Sequence, residues 1–312
     1  EASSPHLLHD ILRNNTRPSK MNHDLLVTQL TVYYRTLAAL NHISPSDIFD
    51  PPISVDINAA DDAGLSNEAV SVIQKLPQLN PDLYSLPLLP DGSQAVFYTD
   101  VNLDWSRRPT YQEDPEISEH AFVLTNPNIY GTSLIYDTVS AKLLPWHAWG
   151  RHVDSEIAEV EHPFEMDDAK AAEDIIGPWI AKLLALDWVP FGDEFITEPD
   201  QEEVEDARRK MDILIHIQER FVRLNLREVY IACGWNVTAR DLDSAKSEFD
   251  DTQFEIKKKE WMERTQETLN QAYQEQWAWS RIRIKLELEE NDKIRLLDDL
   301  LPDGQDMRHL QL

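Results

Sequence analysis

The chain is 312 residues long and carries 57 Asp and Glu against 29 Lys and Arg, a formal charge of −28 with histidine neutral. Nucleic-acid coating is driven by cationic side chains that displace counterions from phosphates, so this balance argues against a DNA-binding protein and allows at most a local basic patch for RNA. With 42% hydrophobic residues and only eight Gly the chain can build a substantial core, its one cysteine excludes an intramolecular disulfide, and no run of about 18 apolar residues is present to cross a bilayer.

A cytoplasmic location is expected on these grounds. Glu1 to Pro5 lacks the basic and apolar regions of a signal peptide, and the formal glycosylation triplets at Asn14 and Asn236 are without consequence there. Charge is unevenly spread: the first 200 residues hold 32 acidic and 11 basic side chains, the last 112 hold 25 and 18.

From Leu25 to Asn41, Leu26, Leu30, Tyr33, Tyr34, Leu37 and Leu40 recur at steps of three and four, predicting an amphipathic helix with Asn22 or Asp24 as its cap. The helix stops before Pro45 and Pro51-Pro52. A second helix is expected from Asp61 to Leu76, with a cap in Ser66-Asn67-Glu68 and an apolar face of Ala69, Val70, Val72, Ile73 and Leu76. Pro77, Pro81, Pro87 and Pro90 then impose extended or turn geometry.

Beyond Ala95 the pattern changes to short strands, at 95–99, 121–125 and 133–137, the last two joined by a turn over 126–131. Leu143 to Gly150 follows, then an acidic loop and a helix from Ala169 to Leu186 containing Gly177-Pro178. The run Glu194 to Asp206 reads as an acidic linker. Helical periodicity resumes to Ala232, where Gly234 suits a C-terminal cap, and again from Thr238 onward, with sparse apolar positions Phe249, Trp261, Leu269, Tyr273, Trp277 and Trp279. Arg281 to Glu289 alternates with period two, as a strand would, but its helical context favours helix.

The fold expected is α+β: N-terminal helices, a small central antiparallel sheet and a helical C-terminal half. Its divisions would be an acidic α+β domain at 1–193, an acidic linker at 194–206, and a helical region at 207–312 packed on the first.

Chemistry-bearing residues concentrate in two places. Trp146, His147, Trp149, Arg151 and His152 form a polar-aromatic cluster, but the five-residue step from His147 to His152 fits no usual ligand spacing, so no metal or cofactor is expected. Glu248, Asp251 and Glu255 at i, i+3 and i+7 would share one helix face, a repulsive arrangement that invites a cation or a catalytic use. The plainer alternative pairs Glu255 with Lys259 four residues on. Cys233 reads as a packing residue. The sequence holds no glycine-rich phosphate loop, no Gly-x-Ser-x-Gly elbow and no Cys-x-x-Cys, which disfavours nucleotide hydrolysis, elbow-type serine hydrolysis and zinc ribbons. Any RNA contact falls to Lys257, Lys258, Lys259, Arg264, Arg281, Arg283 and Lys285, where Trp277 and Trp279 could stack on bases or simply pack.

Several segments resemble a set of filamentous-fungal cytosolic proteins: Tyr33 to Leu40, Pro51-Pro52, Ile73 to Pro77, the strands Phe122–Thr125 and Leu134–Thr138, Leu186 to Pro190, and Tyr230 to Trp235. Proteins of this appearance include the arginine-containing cyclodipeptide synthases, which condense aminoacyl-tRNAs into diketopiperazines and carry an Asp-Asp-x-x-Glu motif. The matching text here is Asp250-Asp251-Thr252-Gln253-Phe254-Glu255, with one residue more between the acids. The resemblance implies an aminoacyl-tRNA partner and catalytic roles for Asp250, Asp251 and Glu255. Glu248, Trp146 and His147 would then line the substrate site. A second resemblance is of element order: a leading helix, Leu76-Pro77, a sheet with Leu134 to Thr138, Trp146, and a helix ending at Leu186-Asp187-Trp188. It is similar to the SUKH superfamily and implies a non-catalytic interaction or scaffold module that holds a basic protein partner.

Overall fold

The computed structural model describes residues 23–98, 103–109, 117–127, 131–146, 168–199, 201, 203–205 and 214–298, with side chains except at 104, 214–218 and 275–298. The fold is α+β, with helices flanking small antiparallel sheets and a helical C-terminal half. Contacts divide it into two units: one formed by Glu1–Thr197 with Tyr230–Phe249, the other by Glu198–Val229 with Asp250–Leu312.

In the first unit, α1 (Asp24–Ala39) buries Leu26, Leu30, Tyr33, Tyr34 and Leu37, the stripe its spacing implied. Its cap differs from expectation. Asp24 is already helical, and the N-cap residue is His23, which makes no side-chain cap bond because its ring is engaged elsewhere. Asn22 lies outside the described residues. After β1 (Ile48–Phe49), the single helix expected over 61–76 is two: α2 (Ile57–Asp62), capped by Asp56, and α3 (Asn67–Ile73), capped by Ser66. Gly64 separates them at φ +71, where its N–H bonds Asp61 O while Leu65 N–H bonds Ala60 O, the paired bonds of a Schellman end.

β2 (Gln78–Leu79) pairs with β1, and β3 (Gln94–Ala95) is shorter than the strand expected at 95–99. The strand expected at 121–125 is also divided, into β4 (Ala121–Val123) and β5 (Thr125–Asn126). Thr125 explains the break: its hydroxyl donates to Thr132 O at 2.7 Å and accepts Leu134 N–H at 2.9 Å. It thus takes up bonds that a backbone ladder would make, and β5 turns to pair with β3. β6 (Ser133–Asp137) is central in the sheet β4-β6-β7. The strand β7 (Lys142–Trp146) was hidden in the sequence by Pro145, which an edge position tolerates. Beneath it Ile117, Ala121, Val123, Ile135, Leu144, Trp146 and Ala169 form one apolar cluster.

α4 (Ala172–Leu184) packs on α1 and runs through Pro178. Tyr33 meets Trp179 edge-on at 6.2 Å. Glu194 to Thr197, expected to begin a linker, instead forms β9 (Glu194–Thr197), paired with β8 (Trp188–Phe191) across Gly192-Asp193. The hairpin forms because Val189 and Ile196, directly opposite, are both buried, and Gly192 takes the φ of +61 the turn requires.

The helix expected to run to Ala232 is divided at Asn225 into α5 (Leu214–Leu224) and α6 (Leu226–Ala232). The stretch expected from Thr238 is likewise two helices, α7 (Leu242–Lys246), capped by Asp241, and α8 (Asp251–Asp298). Two hydrogen bonds from Ser244, backbone and side chain, hold the Asp241 carboxyl below its ordinary pKa. Residues 281–289 are helical within α8. In the second unit, α5 and α8 pack together, with Glu219 accepting from both Arg223 at 2.6 Å and Tyr273 at 2.9 Å. Phe254, Trp261 and Leu269 are the buried residues of α8 among those whose side chains are described.

Candidate functional site

Three arrangements of side chains bear on function, and the acidic one at the start of α8 comes first. Asp250 is its N-cap: Oδ1 accepts Gln253 N–H at 2.9 Å, and the carbonyl accepts Phe254 N–H at 2.9 Å. Asp251 is the first helical residue, where a negative charge is favoured by the helix dipole. Glu248 lies in the turn before the helix, so the shared face expected for Glu248, Asp251 and Glu255 does not form. Asp251 and Glu255 are exposed. Replacing Asp250 by Ala is expected to destabilise the protein by about 1 kcal/mol in urea unfolding. An unchanged midpoint would remove the cap from the account of this acid.

The other residues singled out in the sequence are dispersed. Trp146 is 6% exposed within the cluster under β7, where its side chain is part of the core. His147 lies outside the described residues. Lys257 and Lys258 are half-buried on α8, with the Lys258 ammonium 5.6 Å from the centre of the Phe254 ring, while Lys259 and Arg264 are exposed. Arg281, Arg283 and Lys285 lie on the backbone of α8, beyond its described side chains. Cys233 is buried, as its packing role implied.

The second arrangement is a phenol, imidazole and carboxylate that the sequence did not bring together. His23 Nδ1 lies 2.8 Å from Tyr136 Oη and its Nε2 3.5 Å from Glu68 Oε1. The order resembles a proton relay, but Tyr136 is 1% exposed and packs on Phe122 at 5.5 Å. Burial first, then the Asp137 and Glu68 charges, push its phenol pKa up. The phenol therefore stays protonated, and its hydrogen bond with the imidazole ties the start of α1 to β6.

The third is a groove in the first unit. Asn80 caps the short 3-10 turn Pro81–Leu83 and delivers Tyr84 to the surface at 70% exposure. The loop then returns to β3 through an Asp91 turn. The Asp91 carboxylate accepts from Ser93 N–H at 3.0 Å, Ser93 Oγ at 2.5 Å and Thr132 Oγ1 at 2.6 Å, while Ser93 Oγ accepts Thr132 N–H at 2.7 Å. Trp105 sits on a second 3-10 turn, Leu103–Arg107, clamped by Arg107, whose guanidinium donates to Ala63 O at 3.0 Å and Ile117 O at 2.5 Å. Between these turns the chain continues from β3 through Val96 to Phe97, and Asn126 is also part of the lining. The hollow measures about 220 Å³.

Close to it, His42 donates from Nε2 to Pro87 O at 2.7 Å and lies 4.9 Å from the Phe195 ring. Its buried Nδ1 has no hydrogen-bond partner among the described residues. Burial lowers the His42 pKa, partly offset by the Pro87 bond. The unfolded state then binds the proton more readily, so this contribution to stability is complete above about pH 6.5 and is lost as pH falls through the lowered folded value. In His42→Gln that pH dependence is absent. The wild-type advantage in unfolding free energy should shrink from pH 7 to pH 5, and an advantage constant with pH would show that His42 does not titrate in this way.

No known protein family, curated protein or solved structure matches this chain.

Proposed function

We propose that the chain is a non-catalytic interaction module, of the SUKH-like kind, whose acidic first unit holds a basic protein partner. Surface charge supports this reading. Between residues 50 and 119 there are thirteen Asp and Glu and only three Lys and Arg, namely Lys75, Arg107 and Arg108. Asp50, Asp56, Asp61, Asp62, Glu68, Asp82, Asp91 and Glu119 are exposed, whereas Arg107 is directed to backbone carbonyls. A field of one sign steers and selects a partner of the other. Among the described residues no helix is long and apolar enough to cross a membrane.

Arginine-containing cyclodipeptide synthesis has less support. Asp250 is engaged as a cap and Glu248 is outside the helix. The two readings part in one experiment, mass spectrometry of extracts from a heterologous host expressing the chain. A new cyclic dipeptide containing arginine that disappears on Glu255→Gln would establish the enzyme and overturn the module. Unchanged extracts, with salt-sensitive binding of a basic protein to the purified chain, are the expected result.

A further inference from the structure

We propose that the groove between Tyr84 and Trp105 is the point at which the partner is read, and that its occupant is an arginine side chain; the inference rests on the module reading and locates its contact. Four observations converge on a planar cation. Two exposed aromatics line the groove, Tyr84 at 70% and Trp105 at 37%, while Val96 and Phe97 supply further apolar lining. Aromatic faces attract cations, and a guanidinium, planar and weakly hydrated, stacks on them better than an ammonium does.

Of the polar side chains that line the groove, Gln94 has its donor end already engaged. The Gln94 amide nitrogen donates to Ser85 O at 3.2 Å, which identifies Oε1 as its acceptor end. Arginine, with five N–H donors and no acceptor, matches that polarity.

Charge excludes the opposite sign. From Leu76 to Ser106 the chain has Asp82, Asp91, Asp100 and Asp104 and no Lys or Arg. Around Asn126, residues 117–133 add Glu119 and again no Lys or Arg. The cations that flank this stretch in sequence are Lys75, Arg107 and Arg108, and Arg107 is bound to Ala63 and Ile117. An apolar side chain would fill such a hollow without using this field, and a carboxylate would be repelled by it.

The groove is also held in shape before any partner arrives. The Asp91, Ser93 and Thr132 bonds hold the turn that leads into Gln94, Asn80 caps the turn before Tyr84, and Arg107 holds the turn that carries Trp105. Little ordering remains to be done on binding, which favours affinity.

The test uses the full chain and four acetylated, amidated peptides in which glycine alternates with arginine, lysine, citrulline or norleucine, followed by nuclear magnetic resonance at the Trp105 indole and the Gln94 amide. The arginine peptide is expected to shift both signals, with lysine weaker and citrulline and norleucine inactive. Tyr84→Ala should weaken arginine binding roughly three- to thirty-fold. Its 70% exposure means that the melting temperature should not move. Trp105→Ala should act in the same direction. Norleucine binding as well as arginine would overturn the inference by showing a merely apolar hollow. Arginine and lysine peptides that bind equally to wild type and Tyr84→Ala, shifting signals elsewhere on the first unit, would overturn the groove while sparing the acidic module. Failure of every basic peptide to bind at low salt would overturn both.

Discussion

Gly234→Ala is expected to lower the unfolding free energy by about 3 kcal/mol, the sum of a left-handed backbone penalty and a collision with the main chain. Gly234 has φ +95 and ends α6. Its N–H bonds Ile231 O at 3.0 Å, and Trp235 N–H bonds Tyr230 O at 3.1 Å, the two bonds of a Schellman end. A Cβ at this position would overlap Glu248 O and come within 2.7 Å of the Glu248 carbonyl carbon. Backbone cannot swing aside as a flexible side chain can. Gly192→Ala is the control, because Gly192 also has positive φ, at +61, yet a Cβ there meets nothing within 4 Å. It should cost only about 1 kcal/mol. Urea unfolding of both variants checks the argument, and equal losses would refute the claim that the Glu248 contact matters.

Trp235→Ala should cost about 3–5 kcal/mol, the usual range for removing a large buried aromatic. Trp235 is 2% exposed and packs edge-on against Tyr230 at 5.9 Å and Phe249 at 5.5 Å. Its indole N–H donates to Leu184 O at 3.0 Å, and the Tyr230 hydroxyl donates to Leu40 O at 2.6 Å. Those acceptors lie at the C-terminal ends of α4 and α1, where helix carbonyls lack intrahelical partners. The pair thus closes the ends of the two helices that pack on each other. Trp235→Phe keeps most of the apolar volume but loses the donor, for an expected cost of about 1–3 kcal/mol. If the Phe variant proved as unstable as the Ala variant, packing would not be the larger share of the Trp235 contribution.

These two positions also illustrate what could be read in advance. Gly234 was legible as a helix end, because a glycine after a periodic run is the residue best suited to positive φ. That Glu248 would sit against it was not, since nothing local connects residues fourteen apart with α7 between them. Leu186 makes the same point from the opposite side. It holds φ +59 at the end of α4 with 0% exposure, so the burial of its side chain outweighs a backbone conformation that local preference would assign to Gly or Asn.

The candidate site was legible only in its ingredients. The surplus of acids came directly from composition, but the groove depends on Tyr84 and Trp105, residues that carry no motif and line one hollow because separate 3-10 turns carry them there. The acids near α8 show the converse. Counting at helical spacing aligned Glu248 with Asp251 and Glu255, whereas the Asp250 cap starts a new helix and breaks that periodicity. A cap and a catalytic acid use the same residue type, and spacing does not distinguish them.

By itself, the sequence determined the α+β class, the buried stripe of α1, the strands β4 and β6, and the acidic surface. Each follows from short-range periodicity, capping chemistry or counting, which depend on neighbours within about a turn of helix or a strand pair. Tertiary structure alone decided the split strands around Leu124, the β8-β9 hairpin in place of a linker, the inclusion of Tyr230–Phe249 in the first unit, and the groove. Those features arise from hydrogen bonds and ring contacts between residues far apart in the chain, such as Thr125 with Thr132 and Leu134, Arg107 with Ala63, and Tyr230 with Leu40. Such bonds become favourable only when the rest of the unit has excluded water from around them, which is why local pattern does not announce them.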